Sequence, residues 1–203
     1  MTIDNELCNM ALSQLGGSLQ IGDIESEQTK EARALRLWYP TAIKQLFRDF
    51  EWPKATKFKA LAELELDRDD WGFKFRVPTE SVAFRGVFPE GTTRKPTTPE
   101  ERYEYELVTE ESGEAVYCDI DDAVGCYSVV LEDPKKWDPD MRIAGAMLLA
   151  GLAAVPITGG DSAKLGERAM KMYVAWRTNA KGNALNESQK APSLQSSLLN
   201  ARR

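Results

Sequence analysis

Two groups of aspartates are the side chains in this sequence whose type and spacing could do chemistry. A pair of carboxyl groups held at a fixed separation can act as the acid and the nucleophile or base of a glycoside hydrolase. Aspartate is also a favoured turn residue, so acidic runs at turns are ordinary. Nothing in the sequence fixes two carboxyls at a working separation, and we interpret both groups as turns. The groups are Asp67, Asp69 and Asp70, and Asp119, Asp121 and Asp122.

Other catalytic chemistry has little support in the sequence. The chain contains no histidine, which excludes Ser-His-Asp and Cys-His catalysis and removes the commonest zinc ligand. Neither G-x-x-x-x-G-K-[ST] nor G-x-G-x-x-G occurs, so phosphate-binding loops of these kinds are absent. The group around Asp119 resembles part of a calcium loop but lacks the glycine at the sixth position and the distant Glu. We predict no catalytic residue, no cofactor and no metal.

Cysteines and tryptophans are interpreted as packing residues. An odd number of cysteines, Cys8, Cys118 and Cys126, predicts reduced, buried thiols. A pair formed by Cys118 and Cys126 across a hairpin is the alternative. Most tryptophans lie near the ends of predicted elements or on apolar stripes, which indicates core packing. A platform of stacked rings for carbohydrate is the corresponding alternative.

Charge and hydropathy restrict the partners that the protein can have. The 203-residue chain has a formal net charge of -6 and a pI near 5.0. Proteins that hold nucleic acid by neutralising phosphates need clustered Lys and Arg, so this balance argues against a protein that grips DNA. The apolar segment 144–157 is short and contains Pro156, and no basic region precedes an apolar one at the N-terminus. We expect no membrane span and no secretory signal.

Apolar residues at three- and four-residue intervals predict helices in both terminal parts of the chain. The first covers residues 3–15. The second runs from residue 27 towards Trp52-Pro53 and is bent near Trp38 by Pro40, which lacks an amide donor. The third begins at Asp138-Pro139, with Asp as the N-cap and Pro in the first turn. The fourth follows Asp161 as its cap.

Between these helices, alternation of apolar and polar residues predicts short strands in residues 56–64, 72–77, 102–108, 114–119 and 127–131. Prolines and glycines between residues 78 and 99 predict a loop-rich stretch. The element order predicts an α+β, mainly α fold: a four-helix bundle with an inserted small antiparallel β subdomain and an extended C-terminal tail. The predicted units are helices 1 and 2 in 1–53, the β subdomain in 54–137, helices 3 and 4 in 138–182, and a flexible tail in 183–203.

Several segments of the chain, taken in order, resemble one known family. They are ALSQLG at 11–16, IESE at 24–27, residues 32–39 ending in Leu-Trp-Tyr, LFRDFEWP at 46–53, GFKFRVP at 72–78, and the helix pair from Asp138-Pro139 to about Asn179. In their order and spacing they resemble the head-to-tail adaptor proteins of tailed bacteriophages, called tail tubular protein A or gatekeeper. The resemblance spans most of residues 1–180 and is weakest in residues 84–98.

The resemblance implies a structural virion protein rather than an enzyme. It implies a dodecameric ring at the head-tail junction, assembled in the host cytoplasm between the portal protein and the tail nozzle protein. DNA passes through the centre of such a ring without sequence-specific binding. The C-terminal segment in this family extends onto the portal, which makes the leucines and arginines of the tail the predicted portal-binding residues. They are Leu194, Leu198, Leu199, Arg202 and Arg203.

Physical properties of the chain are compatible with this implication. An acidic protein around a channel repels phosphates, so DNA can slide through it. A polar tail with sparse leucines suits folding upon binding. Two other classes of function stay open: a tail-associated enzyme that degrades polysaccharide through a carboxylate pair, and a helical scaffold or regulator unrelated to virions.

Overall fold

A computed structural model describes residues 2–16, 20–93, 103–159 and 163–187 of the chain. Within these residues the chain forms four α-helices and seven β-strands. The helices are α1 (Asn5–Gln14), α2 (Lys30–Asp49), α3 (Pro139–Thr158) and α4 (Ala163–Glu187). The strands are β1 (Thr56–Ala60), β2 (Ala62–Leu64), β3 (Phe73–Arg76), β4 (Ser81–Phe88), β5 (Glu106–Glu110), β6 (Gly113–Cys118) and β7 (Val124–Val129).

The strands form two antiparallel sheets. The three-stranded sheet has the order β1-β7-β4, and the four-stranded sheet has the order β2-β3-β6-β5. The central strand β7 pairs with β1 on one side, where Tyr127 lies opposite Lys57. On its other side it pairs with β4, where Gly125 lies opposite Val87. Exposed Lys57 and Lys59 on the edge strand β1 discourage further strand pairing there. Contacts of β4 and β7 with α2 connect the three-stranded sheet to the helices.

The predicted four-helix bundle with a small β insertion is wrong. The fold is α+β, with two antiparallel sheets that carry a hydrophobic core of their own beside the core of the helices. In the helical part, α3 lies centrally and contacts α1, α2 and α4. A sheet with one apolar face must bury that face, and here each sheet contributes side chains to a shared core. The buried members of this second core are Phe75, Val77, Val87, Val116, Cys118 and Ala123.

Strand β4 is the element that the sequence prediction missed. Its residues fall in the stretch that we expected to be a loop. The pairing of β4 with β7 shifts register between Ser81 and Ala83 and again between Phe84 and Gly86. Bulges of this kind interrupt the period of two by which a strand is identified in a sequence. With β4 present, the β part is larger than the inserted subdomain that we expected.

Local sequence explains where the first two helices begin. Asp4 accepts a hydrogen bond from the Leu7 amide at 2.6 Å, and Thr29 accepts one from the Ala32 amide at 3.2 Å. Side-chain caps of this type satisfy amides that have no partner inside the helix. The prediction that one helix continues through Pro40 is confirmed, although α2 ends at Asp49, before Trp52.

Helix α3 begins as predicted, with Asp138 as the N-cap and Pro139 in the first turn. By length and composition alone, α3 is the one helix among the described residues that could cross a membrane. A buried core helix has the same composition, and 61% of the apolar window is buried inside the protein. Its packing against α1, α2 and α4 gives these apolar residues a place in the core.

Candidate functional site

The predicted portal-binding residues lie outside the described residues, so the structure does not place them. They are Leu194, Leu198, Leu199, Arg202 and Arg203. The predicted cap Asp161 lies outside the described residues as well. Helix α4 continues to Glu187, past the predicted boundary at residue 182.

The first aspartate group lies within a network of charges on the four-stranded sheet. The Oδ2 atom of Asp67 is 3.0 Å from Nζ of Lys74, and its Oδ1 atom accepts a hydrogen bond from the Tyr117 hydroxyl at 2.6 Å. Lys74 lies opposite Tyr117 in the β3–β6 register and also pairs with Glu110 at 2.6 Å. The Lys74 side chain is only 7% exposed, so the two carboxylates compensate a largely buried ammonium group.

Arg68 forms ion pairs with two further carboxylates of this network, those of Asp70 and Glu106. Its guanidinium donates two hydrogen bonds to Asp70 and a third to Glu106 at 2.9 Å. The same guanidinium lies 5.0 Å from the centre of the Tyr117 ring, within the range of a cation–π contact. The indole of Trp71 donates to Glu106 at 3.2 Å. Asp70 and Glu106 are therefore each bound to a cation.

This arrangement is unsuited to the acid step of a glycosidase. Hydrogen bonding from Tyr117 and then from Lys74 holds the pKa of Asp67 below its ordinary value of 3.8, and Arg68 does the same for the pKa of Asp70. A catalytic acid at neutral pH needs the opposite shift, because it must keep its proton until the transition state. These two carboxylates stay ionised and serve as acceptors and counter-charges.

The second aspartate group organises turns. Asp119 accepts a hydrogen bond from the Gly72 amide at 2.8 Å, and Asp121 accepts one from the Asp122 amide at 2.9 Å. Asp122 has a φ of 47°, a left-handed conformation that Asp tolerates better than most residues. Within the described ranges, no group of three or more His, Cys, Asp or Glu side chains could hold a metal ion.

The Asp67 network predicts a pH dependence of stability. Because the pKa of Asp67 is lowered in the folded chain, its carboxylate stabilises the fold above the unfolded pKa and loses this effect as pH falls through the folded pKa. We expect the difference in free energy of unfolding between wild type and Asp67→Asn to be largest near neutral pH and to shrink below about pH 4. Urea unfolding at a series of pH values measures this difference.

The control for this prediction is Tyr117→Phe, which removes the hydroxyl donor and keeps Lys74. In the Tyr117→Phe background, Asp67→Asn should produce a smaller pH-dependent difference, since the larger cause of the lowered pKa is gone. A difference that stays constant with pH in the wild-type background would contradict the prediction.

The prediction of reduced, buried thiols is confirmed, because Cys8, Cys118 and Cys126 are all buried and carry thiols. Cys118 and Cys126 lie on β6 and β7, which belong to different sheets, so they do not face each other across one hairpin. Burial raises the pKa of the Cys8 thiol to about 12, with a smaller contribution from the charge of Asp4. A thiol in that state is a poor nucleophile.

The solvent-facing side of α4 is a feature that the sequence analysis did not identify as a site. Lys164, Arg168 and Lys171 follow one another at intervals of four and three residues, so they lie on one face of the helix. Together with Glu167 and Met172 they line a shallow depression. None of these three cations makes an ion pair with another residue in the part of the chain that the structure covers. We call Lys164, Arg168, Lys171 and Met172 the basic face of α4.

Contacts on the other side of α4 hold it against the core. Ala169 and Tyr173 are buried in the helical core. The Tyr173 hydroxyl donates to Asp49 at 2.8 Å, and Arg177 lies 3.4 Å from the same carboxylate oxygen at the end of α2. The basic face is thus presented by a helix that is fixed at its opposite side. Regular spacing of cations on a predicted helix was the sequence signal for it.

Comparison with known proteins does not assign the chain to a family. No protein-family description and no curated protein matches the chain. The proposal of a function therefore depends on the residues of the chain itself.

Proposed function

We propose that this protein is a head-to-tail adaptor of a tailed bacteriophage. In this proposal, copies of the chain form a ring between the portal protein and the tail nozzle, and DNA passes through the ring. The ordered resemblance of segments between residues 11 and 179 supports this proposal. Within the described residues, helices come before and after the strands, an order compatible with such an adaptor.

The observation that carries the proposal is the position of α4. This helix is fixed on α3 and at Asp49, and its last turns run into the predicted tail 183–203, which we expect to bind the portal. A helix anchored in this way supplies a rigid base for a segment that docks on a partner. The net charge of -6 supports the passage of DNA, since an acidic ring repels phosphates.

The surroundings of the two aspartate groups do not support the alternative of a polysaccharide-degrading enzyme. Asp67 and Asp70 have lowered pKa values and are engaged by Lys74 and Arg68. Asp119 and Asp121 accept hydrogen bonds from backbone amides.

Removal of the segment after Glu187 is expected to abolish binding to the portal protein. The full chain should co-sediment with the portal protein encoded beside it, and negative-stain imaging should show a ring added to one end of the portal. Changing Leu194, Leu198 and Leu199 together to Ala should weaken binding by more than about tenfold, because burial of each leucine contributes about 1.5–3 kcal/mol. Circular dichroism of both variants should retain the helical signal.

Ser196→Ala with Ser197→Ala is the matched control for the leucine variant, because it alters the same segment without removing apolar surface. Portal binding that survives truncation would refute the role of the segment. A full chain that is folded but never co-sediments with the portal would refute the adaptor proposal itself.

A further inference from the structure

We propose that the basic face of α4 binds the acidic segment 63–70 of a second copy of this chain. This inference rests on the proposed ring, which requires each copy to present two different surfaces to its neighbours. The segment 63–70 covers the end of β2 and most of the connection to β3 on the four-stranded sheet. Its exposed carboxylates complement the cations of the basic face.

The segment 63–70 has the properties that complement the basic face. Glu63, Glu65 and Asp69 are exposed, and none of them makes an ion pair with any residue that the structure describes. Asp67 and Asp70, in contrast, are engaged by Lys74 and Arg68 within the same chain. Three acidic side chains are thus free to meet the three cations of the basic face.

Apolar side chains accompany the charges on both surfaces. Leu66 is 40% exposed within the acidic segment, and Met172 is 39% exposed within the basic face. A methionine side chain is flexible and adapts its shape to a partner, so Met172 can pack on Leu66 of the second copy. Met170 and Val174 extend the exposed apolar area of α4. Each surface therefore offers charge for orientation and apolar area for affinity.

The two surfaces belong to different parts of one chain. Helix α4 packs on α3, whereas the segment 63–70 belongs to the four-stranded sheet, and contact between helices and strands is made mainly through the three-stranded sheet. No ion pair in the described residues joins the two surfaces. The charges that they carry are therefore available to a second copy.

Charge also determines the type of contact. Two basic faces placed against each other would repel, so a symmetric contact between α4 helices is disfavoured. A contact between unlike surfaces is heterologous, and repeated heterologous contacts close into a ring when the rotation between copies permits it. The proposed contact is of this heterologous type.

Charge reversal tests the proposed contact, and mixing two oppositely reversed variants should restore it. One variant carries Lys164→Glu, Arg168→Glu and Lys171→Glu, and the other carries Glu63→Lys, Glu65→Lys and Asp69→Lys. In low salt, sedimentation velocity of the wild type should show species heavier than the monomer as concentration rises. Each variant alone should remain monomeric, because its two surfaces then carry the same charge. An equimolar mixture of the two should regain the heavier species, since each variant complements the other.

A matched control changes Lys30, Lys44 and Lys136 to Glu, which alters the net charge equally but leaves α4 intact. This control should assemble as the wild type does. Added salt should weaken assembly, because the Debye length is about 10 Å at about 0.1 M salt.

The inference is overturned by a wild type that stays monomeric at every concentration, and equally by reversed variants that assemble alone and gain nothing on mixing. If reversal of the basic face instead removes retention on duplex DNA and leaves sedimentation unchanged, the face binds phosphates and the inference fails. Portal binding is measured separately, so a chain that binds the portal while both variants assemble normally would refute this contact and keep the adaptor proposal.

Discussion

Replacing Arg85 with alanine is expected to lower the free energy of unfolding by about 3 kcal/mol. The Arg85 side chain extends from β4 to the end of α2, where Nη2 donates to the carbonyls of Phe47, Arg48 and Phe50 at 3.1, 2.7 and 3.4 Å. Its Nε donates to Oγ of Ser128 at 3.0 Å. Carbonyls at the end of a helix have no intrahelical partner, and a cation there also interacts favourably with the helix dipole.

Urea unfolding followed by circular dichroism and by tryptophan fluorescence measures this effect. Arg85→Lys keeps the charge but not the planar set of donors, so it should lose an intermediate amount. Ser128→Ala removes only the contact to β7 and should lose less. A loss below about 0.5 kcal/mol would show that the contact is unimportant for stability.

Replacing Gly166 with leucine is expected to separate α4 from α3 and to lower the free energy of unfolding by about 3 kcal/mol. A β-carbon at Gly166 would lie 2.9 Å from the β-carbon of Ala154 and 3.5 Å from the carbonyl oxygen of Gly151. Neither neighbour has a flexible side chain that could move away. The helix itself must then shift, and the buried contacts of Ala169 and Tyr173 are lost with it.

Gly182→Ala is the matched control on the same helix. No heavy atom lies within 4 Å of a β-carbon built there, so alanine should stabilise the helix by about 0.5–1 kcal/mol through its higher helix propensity. Thermal unfolding of both variants measures the two shifts, which should have opposite signs. Limited proteolysis should cut α4 faster in the Gly166→Leu variant. Equal stability of the two variants would contradict close packing of α3 on α4.

Local sequence was sufficient for the features that depend on neighbouring residues. The start of α3 at Asp138-Pro139 and the single helix through Pro40 followed from caps and from apolar spacing. The burial of the three cysteines is the usual behaviour of reduced thiols. Each of these features depends on residues that are close together in the sequence, so it can be predicted without knowledge of the fold.

The architecture of the β part was not determined by such local signals. Strand β4 is interrupted by bulges, and its pairing with β7 joins segments about forty residues apart, such as Phe84 and Tyr127. Without β4, the predicted strands amount to only a small insertion, and the sequence then predicts a helical bundle. The second core exists because both sheets bury one face against each other, which is a property of the assembled sheets.

The residue types of the candidate sites are readable in the sequence, but what those residues can do depends on contacts made in the folded chain. Asp67 was identified as a possible catalytic carboxylate, but its partner Tyr117 is 50 residues away in the chain. The pairing of β3 with β6 places Lys74 opposite Tyr117. Hydrogen bonds from Tyr117 and Lys74 to the carboxylate of Asp67 then lower its pKa. The cations of α4 were visible in the sequence, but only packing on α3 decided that they face solvent. Both outcomes depend on contacts between distant segments, which local patterns do not specify.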